Sequence, residues 1–239
     1  MTDSATILII DDDRPLVEMF ANVLTANHYR VITAHDGQEG LRKIYEHRPD
    51  LIILDINMPM MDGWVVCQRV REVSNVPILM LTAQSSPEEI VRGLEMGADE
   101  YVLKPCEPQV LLARVRAMLR RAASEPVAYS RDVVYNDDYL TINAQARRVT
   151  VKGEPVKLTP TEFNLLMMLV KNYPRVVPYR DLLEQVWGFE YIDDMDYLRV
   201  YIWHLRRKLE PNPKEPTYII NELGVGYRFE KQVSGSPRP

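Results

Sequence analysis

The sequence predicts an α/β chain: a doubly wound sheet of five parallel strands covered by helices, followed by a second, smaller α+β domain. Three observations lead there. Short apolar runs in the first half alternate with amphipathic segments of helical spacing. Several of these runs end abruptly in a polar residue, as Leu51-Ile52-Ile53-Leu54 does at Asp55. After residue 121 the rhythm changes to brief alternating strands, three helical segments and a closing hairpin.

The 239 residues, 46% of them hydrophobic, suffice for two ordinary cores. No long apolar run suited to a membrane exists, and the N-terminus lacks the pattern of an export signal. A cytoplasmic protein with no membrane partner is therefore expected. Cys67 and Cys106 form neither a disulfide framework nor a metal-ligand spacing, which suits a reducing compartment. Residues 1–121 carry 18 acids against 13 bases, while residues 122–239 are balanced at 16 against 16, so net charge does not announce nucleic-acid binding. Arg206-Arg207-Lys208 is a local basic cluster that a solvated helix face would also explain.

Strands are placed near residues 6–10, 30–34, 50–54, 77–81 and 100–103, each followed by a helix. Leu16, Phe20 and Val23 keep helical spacing after the first strand, and Leu111, Val115 and Met118 do so after the last. Near-continuous apolar runs mark strands buried on both faces, hence parallel pairing with helical crossovers. Such sheets hold ligands at the carboxyl ends of their strands. Asp11-Asp12-Asp13, Asp55, Thr82 and Lys104 all fall at such ends.

Residues 122–130, with Ala-Ala-Ser-Glu-Pro, interrupt the periodicity and are read as a linker between domains at 1–121 and 131–232; residues 233–239 are read as a disordered tail. Alternating strands follow around 139–143, 148–151 and 154–157, with Lys152-Gly153 as a turn. Thr159 and Pro160 supply a cap and a first-turn proline to a helix with Phe163, Leu166 and Val170 on its inner face. A shorter helix spans 179–187. The third, about 195–210, is assigned Leu198, Ile202, Leu205 and Leu209 inward, with Tyr197, Val200, His204 and Arg207 outward. That outward mixture suits base edges and phosphates in a DNA groove. Leu223-Gly224-Val225-Gly226 turns the closing hairpin. Small sheet, three helices and hairpin outline a winged helix-turn-helix domain.

The acids of the first half need a cation, and hard oxygen donors suit Mg²⁺. A carboxylate beside that metal can attack phosphorus and form an aspartyl phosphate. The motifs Ile10-Asp11-Asp12, Leu54-Asp55-Ile56-Asn57-Met58-Pro59, Gly63, Leu81-Thr82-Ala83 and Lys104-Pro105 make the first half resemble the flavodoxin-like receiver domain of two-component response regulators. Leu158-Thr159-Pro160-Thr161-Glu162-Phe163, Leu205 to Glu210 and Gly224 to Phe229 extend the likeness. Roughly residues 5–230 resemble the OmpR/PhoB family of DNA-binding response regulators.

The resemblance implies that Asp55 is phosphorylated by a sensor histidine kinase. Asp12, Asp55 and the Asn57 carbonyl would hold Mg²⁺, with Asp11 acting mainly through water. Lys104 would offset charge on the phosphoryl oxygens, Thr82 would hydrogen-bond them, Tyr101 would turn inward, and Lys104-Pro105 would be cis. Phosphorylation would make a homodimer through the last receiver strand and its neighbouring helices. Glu95, Asp99 and Glu100 would face Arg114, Arg116 and Arg121 there. The third output helix would enter the major groove, giving DNA contacts at Tyr197, Arg199, Val200, Trp203, His204 and Arg207. Tyr227 and Arg228 would touch phosphates, and RNA polymerase would meet the loop at 188–194.

The chain also departs from the family. Ile90 and Val110 stand where a basic residue and an acid are usual, so an aliphatic contact is expected to replace that ion pair. Cys106 replaces an aromatic, as a small packing substitution. Leu223 replaces an arginine that reaches the minor groove, and Trp203 and His204 stand where arginines are frequent. The wording Tyr197-Leu198-Arg199-Val200-Tyr201 is similar to that of the KdpE subgroup. An aspartate-nucleophile phosphatase would want a second acid where Asn57 stands, so no enzyme is expected. The alternative is a phosphorylation-independent DNA-binding regulator with a degenerate switch.

Overall fold

The computed structural model describes residues 4–83, 96–123 and 133–232, and the chain divides into two compact units between Ala122 and Ala123. In the first, β1 (Thr6–Ile10), β2 (Arg30–Ala34), β3 (Leu51–Asp55), β4 (Ile78–Thr82) and β5 (Glu100–Leu103) form one parallel sheet in the order β2-β1-β3-β4-β5. This is the expected α/β architecture, with each strand within a residue of its expected position. α1 (Arg14–Ala26), α2 (Gly37–His47), α3 (Gly63–Val73) and α4 (Pro108–Ala123) pack with the sheet. The helix expected after β4 lies outside the described residues, as do Ile90 and Glu95. α4 runs two residues past the expected domain end at 121.

Every residue of β3 and β4 is buried, as strands covered on both faces require. Ile7, Ile9, Leu51, Ile53, Leu79 and Leu81 alternate onto one face, against Phe20 and Leu24 of α1 and Val115 and Met118 of α4. Each such side chain contributes roughly 1.5–3 kcal/mol. The acidic run at the end of β1 divides its labour: Asp13 caps α1 by accepting the Leu16 N–H at 3.1 Å, which leaves Asp11 and Asp12 for the sheet edge.

The second unit starts with an antiparallel sheet of β6 (Val133–Asn136), β7 (Leu140–Asn143), β8 (Arg148–Val151) and β9 (Glu154–Val156). α5 (Pro160–Asn172), α6 (Tyr179–Val186) and α7 (Met195–Leu209) follow. The closing hairpin, β11 (Ile219–Glu222) and β12 (Gly226–Phe229), pairs with the two-residue β10 (Val177–Pro178) in the order β10-β12-β11. Neither β6 nor β10 was expected from the sequence pattern. The two residues of β10 are a strand only because Val177 pairs with Tyr227, fifty positions away. The expected cap of α5 is a full capping box: Glu162 N–H donates to Thr159 Oγ1 at 3.3 Å and Thr159 N–H to Glu162 Oε2 at 2.8 Å.

Gly63 opens α3 with its backbone against the end of β3. A Cβ there would press into the carbonyl oxygen of Asp55 and lie 2.9 Å from Ile56 Cα. Both are backbone atoms and cannot swing aside. Gly63→Ala should therefore destabilise the protein by about 1–3 kcal/mol, read as a lower urea midpoint.

Candidate functional site

β1, β3 and β5 deliver three of the site's side chains to one edge of the sheet, around the point where the winding reverses between β1 and β3. Asp11 and Asp55 are almost wholly buried, whereas Asp12 is exposed. Oxygen atoms of the three carboxylates lie within 4.8 Å of one another. Lys104 bridges two of them, its Nζ lying 2.7 Å from Asp11 Oδ2 and 2.6 Å from Asp55 Oδ1. The other Asp11 oxygen accepts the Asp13 N–H at 2.9 Å. Asn57 lies in the turn after β3 with its side chain exposed.

The electrostatics follow from that crowding. Burial pushes the Asp55 carboxyl above the ordinary carboxylate range; Lys104 opposes the rise, and the Asp11 and Asp12 charges add to it. Burial disfavours the Lys104 ammonium, yet its bonds to Asp11 and Asp55 outweigh that and hold it above its usual value. Thr82 ends β4 buried, and its carbonyl accepts the Lys104 N–H at 2.6 Å, which couples the two strand ends. Tyr101 is buried, with its ring 6.2 Å from that of Trp64. The Lys104–Pro105 peptide is cis. Cys106 packs half-buried against the core, and burial raises its thiol pKa, in keeping with a packing residue.

Two of the acids expected at a dimer face have partners within the chain. Asp99 is buried and pairs with Arg71 at 2.6 Å, while Glu100 is buried and pairs with Arg121 at 3.1 Å. Burial raises the Glu100 carboxyl pKa, with Arg121 and Arg114 opposing it. Carboxylates placed this deep are stabilised only when a cation is paired with them. Arg116 is exposed but reaches Asn27 Oδ1 at the end of α1, at 2.7 Å, away from β5. Arg114 is half-buried. Val110 is 45% exposed and Leu103, at the end of β5, is 43% exposed.

The reading of α7 is corrected in register. Leu198, Ile202, Leu205 and Leu209 are buried as expected, but so are Tyr197, Val200 and His204. Tyr197 packs on Tyr191 with ring centroids 5.5 Å apart, and His204 Nδ1 lies 3.7 Å from Glu162 Oε1. The buried arc is wider than that four-residue stripe because the helix has partners along its flanks. The exposed stripe is Asp196, Arg199, Trp203 and Arg207. Tyr227, expected to touch phosphates, is buried in an edge-to-face contact with Tyr179. Arg228 is ion-paired with Glu222 at 2.8 Å and with Glu230. Leu223 and Val225 are exposed at the hairpin tip.

Two positioning residues were missed. Glu162 accepts Lys208 Nζ at 2.6 Å and so ties α5 to α7. Arg206 donates twice to the Ile219 carbonyl, at 3.1 and 2.8 Å, tying α7 to the hairpin. The first was visible only as a capping residue and the second only as part of a basic cluster.

Residues 7–116 match the family described as response regulator receiver domain, and residues 153–229 match transcriptional regulatory protein, C terminal. The chain is similar to the DNA-binding response regulator MtrA of Mycobacterium tuberculosis, 43% identical over 223 residues that cover 93% of this chain and 95% of that protein. It is similar to the DNA-binding dual master transcriptional regulator RpaA of Synechocystis sp., 40% identical over 237 residues, 97% of this chain and 98% of that one. Among solved structures it is similar to response regulator DrrB, described as a Thermotoga maritima OmpR/PhoB homolog. That match has 30% identity and a TM-score of 0.51, and covers 95% of this chain and 99% of that one.

The raised Asp55 pKa has a sign that can be tested. The native state binds this proton more tightly than the unfolded chain, so stability falls as pH rises from the ordinary carboxylate range through the raised value. Asp55→Asn removes that cost. In metal-free thermal melts its advantage over wild type should grow as pH rises through this window, and Mg²⁺ should raise the wild-type midpoint and close the gap.

Proposed function

This chain belongs to the OmpR/PhoB family of DNA-binding response regulators and is a two-component transcriptional regulator, and we propose that phosphorylation of Asp55 by a sensor histidine kinase switches it on. The observation that carries this reading is a buried aspartate at a strand end, beside two further acids and a lysine that bridges it to one of them. Among the described residues, no helix is long and apolar enough to cross a membrane.

Hard carboxylate oxygens gathered within 4.8 Å fit a divalent cation. Asp11, Asp12, Asp55 and the carbonyl of Asn57 would hold Mg²⁺, which when bound neutralises charge on the phosphoryl oxygens. A carboxylate oxygen of Asp55 attacks the phosphorus, and the bond from phosphorus to the kinase imidazole breaks with its electron pair staying on nitrogen. Lys104 then exchanges its Asp55 oxygen for a phosphoryl oxygen. The Thr82 hydroxyl donates to another, with Tyr101 packed inward behind it. Because the Lys104 N–H is bonded to the Thr82 carbonyl, both strand ends respond together.

The exposed apolar pair Leu103 and Val110 supports a second copy of the receiver as the partner on this face. A dimer offers two output domains to two DNA half-sites, and modest contacts combine through effective concentration. Arg199, Trp203 and Arg207 are the groups expected to meet DNA. RNA polymerase is the expected partner of the loop at 188–194, where exposed Phe189 stands near Asp193 and Asp194.

Incubation with acetyl phosphate should add one phosphoryl mass only when Mg²⁺ is present, and Asp55→Asn should abolish it. No addition to folded, metal-loaded protein would favour the phosphorylation-independent regulator. Val110→Glu should weaken dimerisation of the phosphorylated protein about tenfold, as read by sedimentation, since roughly one valine of apolar burial is lost.

A further inference from the structure

The exposed stripe of α7 is not uniform. Arg199 is partnered by Asp196 one turn away, Nη1 to Oδ1 at 3.3 Å. Arg207 instead lies over the indole of Trp203, its Cζ 4.5 Å from the ring centroid. Trp203 is 41% exposed, although every other large apolar side chain of α7 from Tyr197 onward is buried.

Two physical points give this pair a purpose. A free arginine must give up side-chain entropy to present its fork, and stacking on an aromatic face reduces that loss in advance. An indole left in water recovers free energy only against an apolar partner, and the apolar group on the floor of the major groove is the thymine methyl. The group there that matches a guanidinium fork is the O6 and N7 edge of guanine. Four residues along a helix span about 6 Å, and base steps are about 3.4 Å apart, so the two contacts fall within roughly two base pairs.

Resting on the DNA-binding reading of α7, we infer that Trp203 and Arg207 form one preorganised reading unit. Arg207 hydrogen-bonds a guanine in the major groove, and Trp203 packs against the methyl of a nearby thymine. Arg199 keeps its acid neighbour and serves phosphates. The specificity of this chain therefore centres on the second half of α7, and Trp203 replaces charge with shape.

The test uses phosphorylated full-length protein and the duplex it enriches from a random-sequence library. Within each half-site, guanines are replaced singly by 7-deazaguanine, which removes N7, and thymines by deoxyuridine, which removes the methyl. One deazaguanine should cost about tenfold in affinity, and one deoxyuridine within two base pairs of it roughly three- to fivefold. In Arg207→Ala the deazaguanine penalty should vanish. In Trp203→Ala the deoxyuridine penalty should vanish and the deazaguanine penalty shrink, while Trp203→Tyr restores the latter by keeping an aromatic face. The substituted bases act on wild-type protein, so misfolding of a variant cannot mask the outcome.

An enriched motif insensitive to both analogues overturns the inference and leaves the regulator reading standing. So does an Arg207→Ala effect that is uniform across sequences and lowers the salt slope by about one, since that marks a phosphate contact. A deazaguanine penalty unchanged in Trp203→Ala overturns the preorganised unit. Failure to enrich any sequence overturns the DNA-binding reading and this inference with it.

Discussion

The receiver half depends on how one buried charge is managed. Asp55 ends a strand buried along its whole length, and Gly63 keeps its backbone fixed by fitting where no side chain could. A carboxylate so placed would normally protonate or acquire a cation. Lys104 meets that need in part, and it does so while also serving Asp11. The pocket is thus held under tension between acids that repel and one ammonium that bridges them. A divalent cation and a phosphoryl group both act on the same imbalance, so a modification of one atom can bias strand ends on either side of it.

Buried ion pairs elsewhere in the receiver set what its surface offers. Asp99 with Arg71 and Glu100 with Arg121 are internal bonds, each between side chains from different elements. Arg71 also donates to the carbonyls of Gly97 and Val76, both at 2.7 Å, so Asp99 belongs to a clamp over the approach to β5. Breaking either pair would leave a buried carboxylate without that cation, a cost of several kcal/mol. Exposed aliphatic side chains at Leu103 and Val110 carry no such cost.

In the output half, buried acceptors hold helix and hairpin as one body. Glu162 binds Lys208, Arg206 binds the Ile219 carbonyl, and the Glu210 carboxylate accepts the N–H groups of Thr217, Tyr218 and Ile219. Asp137 accepts from the hydroxyls of Tyr135 and Tyr218, which joins the first sheet to the start of the hairpin. Charge-assisted bonds of this kind are stronger and more directional than neutral ones. They fix the angle at which α7 is presented, so its few exposed groups act from a rigid frame.

By itself the sequence determined the five-stranded parallel sheet, the three helices of the output half and the identity of the acid pocket. Continuous apolar runs fix burial on both faces, and the polar residue that stops each run must lie at a strand end. It also determined the cap at Thr159, because capping is a local bond. Only the tertiary structure decided which charges are internal: Asp99 and Glu100 look like surface acids until Arg71 and Arg121 are found beside them. It also decided the face of α7. Periodicity locates the centre of a buried stripe but not its width, and that width depends on Tyr191 and Glu162 at its flanks. The pairing of Val177 with Tyr227 was invisible for the same reason: a contact between distant residues leaves no local pattern.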